Sequence, residues 1–200
     1  SNAWLVRAYP HNTNINRIEE FRSGNFVAIG WYELGSLKGC AGEEIRRRLT
    51  EKPYEMSGLA LGNAYATINL FVNRMQVGDL VLVPNGDDIH FAEITSEYRW
   101  EDVYANEQTG FPHCRTVKWL STVSRGDLSK RLRSSLKVHR TTADLSQHYD
   151  EINALAHGKP YQPASTEPKV LEVSYPLRRD FSVSFQIPAD MTRDEARRLM

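Results

Sequence analysis

Between residues 59 and 95 the hydrophobic pattern changes period, and that change excludes both an all-helical and an all-strand fold. Leu61, Ala64, Tyr65, Ile68, Phe71, Val72 and Met75 recur at helical spacing, so residues 59–75 should form a helix with one buried stripe. Val77-Gly78-Asp79 then turns the chain into Leu80-Val81-Leu82-Val83. Asn85-Gly86 supplies a tight turn and residues 89–95 return, which reads as a β-hairpin. The fold class expected is α+β.

Further elements follow from the same periodicities. Residues 4–9 and 25–30 read as strands flanking a short helix at 15–22 whose Ile18 and Phe21 face inward, and residues 42–49 as a short polar helix. Residues 115–120 alternate Val117 and Trp119 against Thr116 and Lys118, a strand pattern, and residues 142–157 read as a helix ending at Gly158. Residues 159–168 contain Pro160, Pro163 and Pro168 and read as a linker. Beyond it, residues 170–175 and 181–187 form an expected hairpin with Phe181, Val183, Phe185 and Ile187 on one face. Thr192-Arg193-Asp194-Glu195 is a capping box whose helix is cut at Met200, so the natural protein is expected to continue. The expected organisation is a main domain over 4–158, a linker over 159–168 and a C-terminal hairpin with a truncated helix over 169–200. Ser1-Asn2-Ala3 looks like an expression scar and is expected to lie outside the fold.

Composition narrows the function classes. At 40% hydrophobic and 25% charged the 200 residues are those of an ordinary globular chain. No apolar run approaches 18 residues and no signal-peptide core is present, so no membrane partner is expected. Cys40 and Cys114 lack any partner at zinc-ligand spacing, which points to reduced thiols in a cytoplasmic protein with no metal or cofactor. Lys plus Arg equal Asp plus Glu at 25 each, so binding by net charge alone is not expected.

The run Asn25-Phe26-Val27-Ala28-Ile29 ends in Gly30-Trp31-Tyr32, placing two large aromatics where a strand gives way to a loop. An aromatic there can offer its π-face to a planar ligand or cap the core. Trp100, in the long aperiodic segment 96–113, is the second candidate wall, with Tyr98, Tyr104 and Phe111 as substitutes. Asn12, Asn14 and Asn16 follow the first strand. An Asn amide presents donor and acceptor together to a base edge, but Asn-rich loops also simply turn. Asp79 either caps its turn or faces an exocyclic amine. Trp4 and Trp119 read as core.

Two basic concentrations stand out: Arg46-Arg47-Arg48, and the set Arg125, Lys130, Arg131, Arg133, Lys137 and Arg140. Such clusters contact phosphate and supply salt-dependent affinity without reading sequence. The second set is the expected phosphate-binding surface.

Taken in order, the strand at Trp4, the strand ending at Trp31, the long helix, Gly78-Asp79 with its strand, and Val117-Lys118-Trp119 resemble the PUA-like β-barrels of the EVE and YTH branch. The run Val27-Ala28-Ile29-Gly30-Trp31 is also similar to N-terminal modules of modification-dependent restriction systems of the Mrr and McrB kind. The resemblance implies a PUA-like barrel with flanking helices. It further implies a non-catalytic reader that accepts a flipped, methylated base in an aromatic pocket, with modified DNA favoured over RNA and any nuclease or ATPase activity on another domain or partner. Its base pocket would comprise Trp31, Trp100, Tyr32, Asn14 and Asp79.

No catalytic residue is assigned. Glu93-Ile94-Thr95 lacks the Lys of a Glu-x-Lys nuclease motif, no Walker or nucleophile-elbow motif occurs, and His113-Cys114 reads as an incidental pair. The alternatives are a small hydrolase on an ASCH-like barrel, marked by a Lys and a carboxylate together in the pocket, and a protein-interaction module. The apolar hairpin face makes a homodimer a further expectation.

Overall fold

The computed structural model describes residues 1–11, 14–161 and 170–198. The chain divides into two compact units, Ser1–Tyr161 and Gln162–Met200.

The first unit is built on a curled seven-stranded sheet. Its strands are β1 (Ala3–Val6), β2 (Phe26–Ile29), β3 (Leu80–Asn85), β4 (Asp88–Ile94), β5 (Arg99–Trp100), β6 (His113–Ser124) and β7 (Thr142–Asp144). They run in the order β2-β6-β4-β3-β1-β7, with β5 also paired to β6. Among the described residues only β1 and β3 pair in parallel, Trp4 opposite Val81, joined by a long helical crossover. Ala3 is buried in β1, so the fold begins earlier than residue 4.

Both faces of the sheet are covered, and this is why its strands read as continuous apolar runs. On one face Trp4, Val81, Ala92, Ile94 and Val117 join a core closed by α1 (Ile18–Gly24), α2 (Gly42–Thr50) and α3 (Gly58–Asn69). The alternate residues Leu5, Leu80, Leu82 and Phe91 join a second core. That core is closed by α4 (Lys130–Ser135) and α5 (Tyr149–Ala156) through Leu132, Leu136 and Ile152. A bulge between Phe91 and Ala92 moves β4 from one register on β6 to the next.

The expected helix at 59–75 is present, but its last turn, Leu70–Arg74, opens into a π-helix. The expected helix at 142–157 is corrected. Thr142–Asp144 is strand β7, paired antiparallel to β1, and α5 begins only at Tyr149. The β-branched Thr142 and the Asp144 side chain, which accepts from the Ser146 backbone N–H, favour strand and turn over helix.

In the second unit, β8 (Val170–Arg178) pairs antiparallel with β9 (Phe181–Pro188), Val173 opposite Phe185 and Tyr175 opposite Val183. Thr192 and Glu195 form the expected capping box of α6 (Arg193–Arg197). Most of the expected linker, residues 162–168, lies outside the described residues.

Candidate aromatic site

Trp31 does not continue β2 into the loop with ordinary backbone. It sits at φ 63°, ψ 46°, in the left-handed region, where a bulky non-glycine residue is an outlier that costs on the order of 1–3 kcal/mol. Such a residue persists only where its surroundings hold it, and here a buried relay does so. The Trp31 carbonyl lies 3.2 Å from Nε2 of His113, and Nδ1 of His113 lies 2.7 Å from the Tyr98 hydroxyl. The carbonyl can only accept, so Nε2 carries the imidazole proton and Nδ1 accepts from the Tyr98 O–H; the Tyr98 oxygen in turn accepts from the Leu37 N–H at 3.1 Å. Burial pushes the His113 pKa down to about 4 and the Tyr98 hydroxyl up to about 12, so both stay neutral donors near pH 7.

Three loops meet around this relay. Gly30 lies so close to the chain after β1 that a Cβ there would overlap the Pro10 carbonyl oxygen, and one on Gly110, at φ 65°, would overlap the His11 ring. His11 packs edge-on to Tyr32 at 5.5 Å between centroids and contacts the Glu107 carbonyl through Nε2. Arg17 donates to the Gln108 carbonyl. Trp100, opposite His113 on β5, packs edge-on to that imidazole at 5.1 Å, and its indole N–H is tied to Asp102 at 2.6 Å.

The Trp31 backbone carbonyl and the Trp100 ring therefore both contact His113, and Tyr32 packs on His11. Trp31, Trp100 and Tyr32 are half-buried, an exposure compatible with presenting aromatic faces. Asn14 occupies an exposed turn, while Asn12 lies outside the described residues. Asn16 is structural: its side-chain Oδ1 accepts from the Ile18 N–H, and its side-chain Nδ2 donates to Oδ1 of Asn85.

Asp79 is corrected as a pocket residue. It is buried, and its oxygens accept from the Trp4 indole at 2.8 Å, the Gln76 N–H and both Asn2 nitrogens, so the carboxylate pins the turn before β3. Of the substitute walls, Tyr98 and Phe111 are buried and are corrected as well, whereas Tyr104 is half-buried. Tyr98 is spent in the relay, and Tyr104 and Phe111 stack at 4.6 Å in a cluster with Phe21 and Phe26. Trp4 is core as expected, whereas Trp119 is only half-buried.

The two basic clusters differ in how they are compensated. Arg47 pairs with Glu44 and Glu51, and Arg48 pairs with Glu44 and donates to the Leu34 and Ser36 carbonyls. Among the described residues, Arg125, Lys130, Arg131, Arg133, Lys137 and Arg140 make no ion pair. Arg125 donates to the Gly86 carbonyl at the hairpin tip. The segment holding Lys137 and Arg140 is clamped by Arg7, which donates to the Leu136, Val138 and Arg140 carbonyls.

Sequence reasoning missed Arg115. It is buried, makes no ion pair among the described residues, and donates to the Phe71, Val72 and Ser96 carbonyls. Two of these belong to the π-helical turn, so the guanidinium closes the negative end of the long helix. Burial depresses its pKa. Cys114, next to His113, is buried with its thiol pushed up to about 12, so it remains protonated near pH 7. Among the described residues, no group of three or more His, Cys, Asp and Glu could hold a metal, and no helix is long and apolar enough to cross a membrane.

No curated protein matches the chain. Among solved structures, an X-ray crystal structure of protein Atu2648 from Agrobacterium tumefaciens is similar at 13% identity and a TM-score of 0.37, over 82% of this chain and 100% of that one. Residues 4–146 match a family model described as Domain of unknown function (DUF8426), and the chain belongs to that family.

Proposed function

We propose that this domain is a PUA-like, EVE/YTH-type reader that accepts a flipped, methylated nucleobase, in DNA in preference to RNA, and performs no chemistry itself. The observation that carries the reading is Trp31, a large aromatic at the mouth of the sheet, held in a strained backbone conformation by a dedicated buried relay. Strain of this kind collects at ligand sites, where the fold pre-sets a side chain that binding would otherwise have to order. Extruding a base costs a few kcal/mol, and stacking returns roughly 1–3 kcal/mol per aromatic contact. In this reading Trp31 and Trp100 are the two walls such a balance needs. The six cations from Arg125 to Arg140, unpaired while Arg47 and Arg48 are neutralised, supply the phosphate contacts. A cytoplasmic protein acting beside an effector nuclease or ATPase fits this role.

Fluorescence anisotropy with matched methylated and unmethylated DNA and RNA oligonucleotides tests the reading. Tighter binding of a methylated DNA strand, by about tenfold or more, is expected. Equal affinity for every oligonucleotide would overturn base reading.

The hairpin supports a second reading for its own unit. Leu171, Tyr175, Phe181, Val183 and Phe185 are all exposed, Leu171 at 53% and Phe185 at 44%, and they share one face. An apolar face of that kind marks a protein-interaction surface.

A further inference from the structure

Strand β6 is 12 residues long, and its two halves have different neighbours. Over residues 113–116 it pairs with both β2 and β5, one on each edge, and over 117–124 it pairs with β4. The chain passes from β4 to β5 along one edge, where the Thr95 N–H donates to the Thr116 carbonyl. On the other edge β2 begins only at Phe26, opposite Thr116, because the chain before it is α1 with its left-handed cap Asn25. The β2 side of residues 118–123 therefore carries no strand, and no loop backbone bonds to it among the described residues. Thr122 shows which groups face that open edge. The Arg125 N–H donates to the Asp87 carbonyl on the β4 side, so alternation turns Val123 and Ser121 towards β4 and the Thr122 N–H and C=O outward. Thr122 Oγ1 lies 2.8 Å from Nδ1 of His90 directly opposite, the close side-chain approach of a pair whose backbone groups point away from each other.

Two clefts lie along the open edge and share Trp119 as a wall. One, of about 450 Å³, takes in Asn25, Val117 and Lys118, and the other, of about 230 Å³, takes in Arg22, Leu120 and Thr122. Their walls hold two cations, Arg22 and Lys118, and no carboxylate. Both cations are exposed and make no ion pair among the described residues, although Glu93 stands opposite Lys118 on β4. We propose that this edge binds an extended acidic peptide segment of a partner protein, which adds to the sheet antiparallel to β6 and in line with β2. An open edge presents N–H donors and C=O acceptors, and a peptide backbone answers both. A DNA backbone offers acceptors alone and leaves the carbonyls unmet. Residues 118–123 span about 20 Å, the length of an ordinary strand. Acidic side chains of the segment meet Arg22 and Lys118, and an apolar one packs on the half-buried Trp119. The exposed Lys118 and the bulge at Leu120 are the devices that keep such an edge from pairing indiscriminately, so pairing is left to a segment that neutralises the charge. The edge lies apart from the Trp31 relay and its use does not depend on base reading.

The test follows the backbone amide ¹H–¹⁵N resonances of the full chain during titration with a short end-capped peptide of alternating glutamate and valine, with the same peptide N-methylated throughout, and with single-stranded oligothymidylate. A saturable shift of the Thr122 amide is expected with the plain peptide, and its hydrogen exchange should slow about tenfold at a peptide concentration ten times the dissociation constant. N-methylation, which removes the peptide's donors and keeps its charges, should weaken binding about tenfold or more. The double variant Arg22→Gln, Lys118→Gln, at two exposed positions, should weaken it about threefold or more. No shift over 118–123 with the plain peptide, or equal affinity for the N-methylated peptide or in the double variant, overturns the proposal. A shift with oligothymidylate and none with the peptide overturns it in favour of nucleic acid, and shifts of these amides that follow protein concentration alone overturn it in favour of a second copy of the chain.

Discussion

At the scale of single residues, the relay from Leu37 through Tyr98 and His113 to Trp31 makes a pH prediction. The folded-state pKa of His113 is about 4, below the unfolded value near 6.5, so the unfolded chain binds the proton more readily. The His113 contribution is therefore intact above about pH 6.5 and is lost progressively as pH falls towards 4, reaching on the order of 3 kcal/mol at lower pH. His90 and His148 are also depressed by burial and add in the same direction. Urea denaturation between pH 7 and pH 4 should show stability falling with acidification, and His113→Gln should flatten the curve. An unchanged slope in the variant would exclude His113 as the titrating group. None of this was legible in the sequence, where His113-Cys114 looked incidental: the partners of His113 lie on other elements, at Tyr98 and Trp31.

Arg115 carries the matching prediction at the scale of elements. It joins β6 to the π-helical end of the long helix, and Arg115→Met keeps the stem while leaving the Phe71 and Val72 carbonyls unmet. A loss of roughly 2–5 kcal/mol is expected in chemical denaturation, whereas a change below about 0.5 kcal/mol would mean that the guanidinium is dispensable. On the opposite face, α4 turns Leu132 inward and leaves Arg131 exposed. Replacing Arg131 and Arg133 by Gln should weaken binding to methylated and unmethylated DNA alike and reduce the slope of log K on log salt by about 2. Loss of discrimination at unchanged slope would contradict a phosphate role.

Elements with a strong period were the legible ones. The stripe from Leu61 to Val72 and the hairpin around Asn85-Gly86 are where the pattern puts them, because burial on one stripe or on alternate residues leaves a mark on composition. Strand β7 was not legible. Three residues give no period, and its identity is set by pairing with β1, more than a hundred residues earlier. Asp79 was open between a turn cap and a pocket residue until Trp4 and Asn2 were placed against it.

For the whole molecule, the second unit poses the question of assembly. Two strands alone are marginal in water, and this pair exposes its apolar face. Self-association through that face is the expectation. Light scattering should give a dimer for residues 1–200 and a monomer for residues 1–161; a monomer for both excludes it.

The central claim is that Trp31 stacks on the base that is read, and the measurement closest to it is the affinity ratio for methylated over unmethylated DNA in Trp31→Ala, taken together with the melting temperature. Losing one stacking wall should cost about 1–3 kcal/mol, enough to erase most of a tenfold preference, while the half-buried position limits the fall in melting temperature to a few degrees. A preference that survives the substitution, or a collapse of melting temperature that accompanies its loss, would contradict the account and make Trp31 a core residue.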